Sequence, residues 1–164
     1  MTLTSQDKDL TLTTPHGIFN HRVGFLVFQQ GRVLLQDAGA GYWFVTGGRV
    51  AFGESTAETV TREIAEELQT TADSTELAGL VENFFVIKGK PFHEVMVLYR
   101  ANYTAALQVP KTDIHGKPFQ TGWFTENELR NTSLKPDFLK EKLFSFQTGF
   151  QHVIHRDPGI AAPL

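Results

Sequence analysis

Cysteine is absent from the 164-residue chain. Without thiolates, the chain has no disulfide, no cysteine-ligated zinc or iron–sulfur site and no cysteine nucleophile. It also has no apolar run of 18 residues, so it lacks a transmembrane helix. Its first ten residues have neither the basic start nor the apolar core of a signal peptide. We therefore expect a cytoplasmic protein that has no membrane partner.

An excess of positive charge is also missing. Lys and Arg number 15 against 18 Asp and Glu, which gives a formal net charge of −3. Such a chain is poorly suited to hold a nucleic-acid backbone by charge, so a nucleic-acid partner is not expected. The length corresponds to about one domain, and we interpret residues 1–164 as a single domain.

Apolar runs separated by turn residues predict more strands than helices. The one strong helix lies between strand pairs, and this order predicts an α+β fold with helices packed on a mixed sheet. Residues 1–17 form a polar arm, read as either a loose segment or an edge strand, and residues 147–164 form a tail that is frayed or used in a contact. Strands are expected at 21–29, 32–36, 42–45, 77–87, 92–103 and 122–124, and helices at 55–69, 126–130 and 136–146.

The clearest helix begins with a capping box. Ser55 is the expected N-cap, and Glu58 stands three residues later, where its side chain can bond back to the N-cap backbone. Apolar residues then recur at spacings of three and four, which predicts one buried stripe along the helix. The residues of this stripe are Ala57, Val60, Ile64 and Leu68.

Three carboxylates share another arc of the same helix. Glu63, Glu66 and Glu67 are related by spacings of three and four, which bring their Cβ atoms to about 5–6 Å. Like charges at this spacing repel, and the helix dipole disfavours negative charge in the later turns. A solvated acidic face is one reading of the three residues. A bound divalent cation is the other, since Mg²⁺ prefers carboxylate oxygens and bridges to phosphates.

The spacing of the charged residues favours the second reading. Gly48 is followed after five residues by Glu54, and after seven more by the run Arg62–Leu68. This pattern, at residues Gly48–Thr70, resembles the Nudix box, G-x5-E-x7-R-E-U-x-E-E-x-G-U, where U is a bulky aliphatic residue. An aromatic strand that ends in a glycine pair, and a Trp-Phe pair before a short helix at Trp123–Leu129, are also similar to this family.

Three residues depart from the family pattern. Gln69 stands where the box has Gly, Thr70 replaces the closing aliphatic residue, and Thr46 stands where many members have Pro. The usual Gly would supply a left-handed stop to the helix. We expect its replacement to change how the helix ends and to leave the carboxylates in place.

The resemblance implies the fold and the reaction. The implied fold is an α/β/α sandwich with a mixed β-sheet. The implied reaction is hydrolysis of a nucleoside diphosphate linked to another moiety, as in a nucleoside triphosphate, a nucleotide sugar or ADP-ribose. Mg²⁺ or Mn²⁺ is the implied cofactor, because a metal neutralises phosphates and lowers the pKa of bound water.

The same resemblance implies roles for the residues of the box. Glu63 and Glu67 are the expected metal ligands, and Glu66 is either a third ligand or the base that deprotonates water. Because the family varies in its base, Glu66 and Glu67 both stay open for that role. The carbonyl of Gly47 is the expected backbone ligand, since a Cβ there would block the approach of the loop.

Further residues are candidates outside the metal set. Glu54 is expected to pair with Arg62 and so to tie the loop to the helix. Glu94 is either an additional carboxylate of the site or a solvent-facing strand residue. Tyr42 and Phe85 are candidates to stack on a nucleobase, because stacking accepts any base; ordinary core packing is the alternative for both.

Two questions stay open at this level. The first is whether the chain is a non-catalytic Nudix-fold module that binds nucleotides and regulates a partner. Such proteins usually lose box carboxylates, and this chain keeps all of them, so the hydrolase is favoured. The second is the oligomeric state, because the N-terminal arm and the C-terminal tail could each build a homodimer.

Overall fold

Eleven strands, three short or medium helices and a 3-10 segment make up the secondary structure of residues 8–37 and 39–160, the part of the chain described by a computed structural model. The strands are β1 (Thr11–Thr14), β2 (Gly17–Leu26), β3 (Phe28–Gln29), β4 (Arg32–Asp37), β5 (Trp43–Phe44), β6 (Gly47–Arg49), β7 (Ser74–Ile87), β8 (Lys90–Asn102), β9 (Gln120–Phe124), β10 (Leu134–Lys135) and β11 (Gln151–Arg156). The helices are α1 (Thr56–Leu68), α2 (Glu126–Arg130) and α3 (Leu139–Lys142), and the 3-10 segment is Leu143–Gln147.

The larger sheet is mixed. Its order is β1-β2-β8-β7-β11, and β6 also pairs with β2. β7 and β8 form a long antiparallel hairpin, whereas β2 runs parallel to β8 and β11 runs parallel to β7. The smaller sheet has the order β10-β5-β4-β3, with β9 paired to β4. The expected mixed sheet is therefore confirmed.

Two hydrophobic cores lie on opposite faces of the larger sheet. Successive residues of a strand point to opposite faces, and along β2 the cores alternate accordingly. Val23 and Phe25 belong to the core that includes Val60 and Ile64 of α1. Leu26 belongs to the core that includes residues of α2, α3 and the 3-10 segment. Helices thus cover both faces, as expected for an α/β/α sandwich.

The first and last of the strands, β1 and β11, take part in the larger sheet. Within the arm at residues 1–17, Thr11–Thr14 pairs with β2, so this stretch is an edge strand, and residues 1–7 lie outside the described residues. Within the tail at residues 147–164, Gln151–Arg156 is not frayed, because it pairs along its whole length with β7, and residues 161–164 lie outside the described residues. Pairing with a strand about 70 residues earlier leaves no local signal in the sequence.

The last helical region begins later than expected. Pro136 lies outside α3, which starts at Leu139, and the chain continues as a 3-10 segment to Gln147. The carbonyl of Pro136 accepts a hydrogen bond from Leu139 N in the turn that leads into the helix. Among the described residues, no helix is both long enough and apolar enough to cross a membrane.

Candidate active site

Helix α1 carries the box carboxylates, and its first turn is capped as expected. Ser55 Oγ accepts a hydrogen bond from Glu58 N at 3.2 Å, and Glu58 Oε2 accepts one from Ser55 N at 2.8 Å. The buried stripe was predicted correctly at three of four positions. Ala57 is exposed, and the first buried residues of α1 are Thr59 and Val60. The buried residues of α1 are Thr59, Val60, Glu63, Ile64 and Leu68.

The glycine pair allows the helix to approach β6 closely. Gly47 has φ +150°, and a Cβ there would collide with the backbone of Val23 and lie 2.8 Å from Gly24 Cα. A Cβ on Gly48 would instead meet the carboxyl group of Glu63, with Oε2 only 2.6 Å away. The first glycine is therefore required by the sheet, and the second by a carboxylate of α1.

Arg62 connects the loop to the helix. Its Nε donates to Glu54 Oε1 at 2.9 Å and its Nη2 donates to Glu54 Oε2 at 3.0 Å, so the expected pair is present in bidentate form. Nη2 also donates to the carbonyl of Arg49, next to the glycine pair. Nη1 donates to Glu63 Oε1 at 2.7 Å and to Glu66 Oε2 at 3.4 Å. One guanidinium thus fixes three carboxylates, and it holds the pKa of Glu54 below its usual value.

Two of the carboxylates resist ionisation. Burial raises the pKa of Glu63 to about 7, although Arg62 opposes this effect. Burial also raises the pKa of Glu67, against a hydrogen bond that Gln36 Nε2 donates to Glu67 Oε2 at 2.9 Å. A cation near these groups would favour their charged forms, because opposite charge lowers a carboxyl pKa.

The donor set fits a hard divalent cation. Within the described ranges, no three Asp, Glu or His side chains stand close enough together to enclose a metal as they are placed. Arg62 engages Glu63 through Oε1, and Gln36 engages Glu67 through Oε2, so a second oxygen on each is available to a cation. The Glu63 carboxyl group occupies the space beside Gly48 that a Cβ at this position would fill. Carboxylate oxygens are the ligands that Mg²⁺ prefers.

Glu94 lies on the other face of the larger sheet from α1. Val97, three residues along the same strand, packs into the core beneath α1, so Glu94 points away from it. Glu94 is 7% exposed, and its carboxylate lies 3.8 Å from Arg22 Nη1. The structure does not bring Glu94 together with the carboxylates of α1.

The two aromatic candidates also lie apart from each other. Tyr42 is 37% exposed in the loop before β5 and contacts Phe44 edge to face at 6.3 Å between ring centroids. Phe85 stacks on Phe92 of the neighbouring strand at 5.0 Å, near the turn of the β7–β8 hairpin. Of the two, Tyr42 is the ring with free surface in the loop that leads to the glycine pair.

Sequence reasoning missed Gln36. This residue is 5% exposed on β4, in the smaller sheet, and it is the side chain that holds Glu67. A polar residue at the end of the apolar run Val33–Leu35 was the available signal, since buried polar groups are almost always hydrogen-bonded. Gln69 was noticed only as a departure from the box, yet its amide donates to the carbonyl of Thr112 at 2.8 Å.

Comparison with known proteins places the chain in a family. The NUDIX domain model matches residues 19–144, which include the whole of α1 and the glycine pair. The chain therefore belongs to the Nudix family, whose enzymes are hydrolases that act on phosphoric anhydride bonds. No curated protein matches the chain significantly by sequence.

Solved structures share the fold. A MutT protein from Bacillus halodurans is 21% identical, with a TM-score of 0.63 over 84% of this chain and 90% of that one. A MutT Nudix hydrolase from Burkholderia pseudomallei is 24% identical, with a TM-score of 0.60 over 76% and 96%. A C. elegans Ap4A hydrolase is 19% identical, with a TM-score of 0.55 over 79% and 96%. At these identities the likeness concerns the fold.

Proposed function

We propose that the chain is a divalent-metal-dependent pyrophosphohydrolase of small nucleotides. Its substrate would be a nucleoside diphosphate linked to another moiety, such as a nucleoside triphosphate, a nucleotide sugar or ADP-ribose. The observation that carries the proposal is the buried carboxyl of Glu63, seated against Gly48 and fixed by the same guanidinium that binds Glu54 and Glu66. Burying an acidic group beside other acidic groups costs free energy, and groups perturbed in this way are concentrated at functional sites.

The residues that would hold the metal are Glu63, Glu66, Glu67 and the carbonyl of Gly47. Such an ion supplies charge neutralisation for the phosphates and a more acidic bound water. Arg62 would orient the carboxylates, because its bidentate bond to Glu54 fixes the guanidinium relative to the loop.

The base would be Glu66 or Glu67. Gln36 donates to Oε2 of Glu67, so Oε1 is the oxygen left to hold the metal or, with Glu67 as the base, to accept the proton. Burial raises the pKa of Glu67 toward the range in which a general base works best. Glu66 is more exposed than Glu67, and its Oε2 accepts a bond from Arg62 at 3.4 Å.

A panel of substrates tests the proposal. We expect cleavage of at least one compound among nucleoside triphosphates, ADP-ribose, nucleotide sugars and dinucleoside polyphosphates, with Mg²⁺ or Mn²⁺ and not with chelator. Phosphate release after phosphatase treatment would be measured. Metal-dependent nucleotide binding without any cleavage would contradict the hydrolase and support the non-catalytic module.

A further inference from the structure

A compact loop, residues 111–118, lies against the end of α1. Two hydrogen bonds of 2.8 Å attach it to the helix. Gln69 Nε2 donates to the carbonyl of Thr112, and Ile114 N donates to the carbonyl of Glu66. The loop is therefore fixed to the last turn of the helix that carries the candidate metal ligands.

The loop is also fixed internally. Asp113 Oδ1 accepts hydrogen bonds from His115 N at 2.9 Å and from Lys117 N at 2.8 Å, and Asp113 N donates to the carbonyl of Lys117. These bonds hold the backbone of Lys117 in one place relative to Thr112. The bond between Gln69 and Thr112, together with that between Ile114 and Glu66, therefore holds the backbone of Lys117 beside the end of α1.

The residue that donates the bond to Thr112, Gln69, has a left-handed backbone conformation. Gln69 has φ 50° and ψ 38°, a left-handed conformation that is unfavourable for a residue with a side chain. Glycine adopts it freely, and the family pattern has Gly at this position. The bond to Thr112 offsets the cost, so the structure gives the Gln side chain a purpose that Gly could not serve.

The loop leads directly to the surroundings of Glu67. It enters β9, in which Gln120 and Thr121 pair with Asp37 and Gln36 of β4. Gln36 is the residue that holds Glu67. Lys117 stands one residue before Pro118, which forms an isolated bridge with Thr112, the residue whose carbonyl Gln69 holds. The carboxylate of Asp113 is already committed to the loop backbone, whereas the exposed ammonium of Lys117 is not needed for the turn.

We propose that Lys117 binds the phosphate chain of the substrate on the Glu67 side of the site, and that Gln69 is the positioning residue that sets this contact through the 111–118 loop. The inference rests on the proposed function. Its physical basis is that an anionic substrate must approach an acidic helix, and a lysine ammonium at the edge binds phosphate as a point charge. A substrate with several phosphates would gain most from such a cation.

Lys117→Ala tests the contact in the full-length protein. We expect KM for the best substrate of the panel to rise about tenfold, which corresponds to about 1.4 kcal/mol of binding, while kcat changes less than twofold. Lys117→Arg should restore most of the affinity, because Arg also binds phosphate. Lys111→Ala is the matched control, an exposed lysine on the same loop, and should leave KM unchanged.

Gln69→Gly tests the positioning role, because Gly keeps the left-handed backbone and removes only the amide. We expect KM to rise in the same direction as in Lys117→Ala, and the double variant to be no worse than Lys117→Ala alone. Calorimetric titration with inorganic triphosphate, with and without Mg²⁺, gives a second readout that needs no turnover. It should show weaker binding for both variants and unchanged binding for Lys111→Ala.

The failures are distinguishable. If Lys117→Ala matches Lys111→Ala in both KM and triphosphate affinity, the contact does not exist. If Gln69→Gly lowers the melting temperature without changing KM, its role is structural only and the positioning part is overturned. If wild-type protein cleaves nothing but binds triphosphate through Lys117, the proposed reaction fails and this inference stands.

Discussion

Gly48→Ala is a perturbation that acts on one carboxylate. The three nearest atoms to a Cβ at this position all belong to the carboxyl group of Glu63, and Oε2 would lie at 2.6 Å. Ordinary contact begins at 3.4 Å, so the carboxyl must move by about 0.8 Å or more. Gly48 is not among the residues with positive φ, so Ala suits the backbone.

The expected result is a folded protein with little activity. Overpacking costs about 1–3 kcal/mol, less than the 5–15 kcal/mol that stabilises an ordinary domain. A misplacement of about 1 Å in a catalytic group can reduce the rate about a hundredfold. We therefore expect kcat for the best panel substrate to fall about a hundredfold, while circular dichroism and urea unfolding show a native fold.

Two comparisons make the assay specific. Gly31→Ala, in the turn between β3 and β4, strains a residue of φ +72° with nothing within 4 Å, so it should lose stability and keep its activity. In a double-mutant cycle, Gly48→Ala combined with Glu63→Gln should be little worse than Glu63→Gln alone, because both act through one group. Full activity in Gly48→Ala, or additive losses, would refute the reasoning.

Three further outcomes follow from the same contacts. Ile64→Ala should lower the free energy of unfolding by about 2–5 kcal/mol in urea titration, since Ile64 is 2% exposed. Thr61→Ala, on the exposed face of α1, should change it by less than about 0.5 kcal/mol. Equal values for the two variants would show that the helix faces are misassigned. Folding raises the pKa of Glu63 from 4.5 to about 7, so between these two pH values the folded state binds a proton that the unfolded state does not. The free energy of unfolding without metal should therefore fall as the pH rises through that interval. Glu63→Gln should flatten this pH dependence, and an unchanged slope would contradict the raised pKa of Glu63. Glu54→Gln should lower stability by about 1–3 kcal/mol through the lost charged hydrogen bonds to Arg62, and a change near zero would show that this pair does not tie the loop.

Local patterns predicted the parts of the site that lie close together in the sequence. The capping box at Ser55 and the course of α1 depend on residues a few positions apart, where side-chain chemistry and helical spacing suffice. The pair between Glu54 and Arg62 was expected from the resemblance to the Nudix box, and its two residues are also close in the sequence. The strands expected at 77–87 and 92–103 correspond to β7 and β8, which pair as a hairpin whose turn lies at Lys88 and Gly89.

Contacts between distant segments could not be predicted in this way. Helical spacing placed Glu63 on a charged arc, but its burial depends on Gly48, which a different element supplies. Gln36 reaches Glu67 from the smaller sheet, and β11 joins β7 in parallel across about 70 residues. Such pairings are set by packing, which one sequence does not display.

The central claim is that the carboxylates of α1 perform metal-dependent hydrolysis, and Glu67→Gln tests it most directly. The substitution keeps the shape of the side chain, so the fold should survive. We predict that single-turnover cleavage of the best panel substrate with Mg²⁺ falls at least a hundredfold, while the wild-type rate disappears with chelator. A variant that cleaves at the wild-type rate with the same dependence on Mg²⁺ would contradict the account.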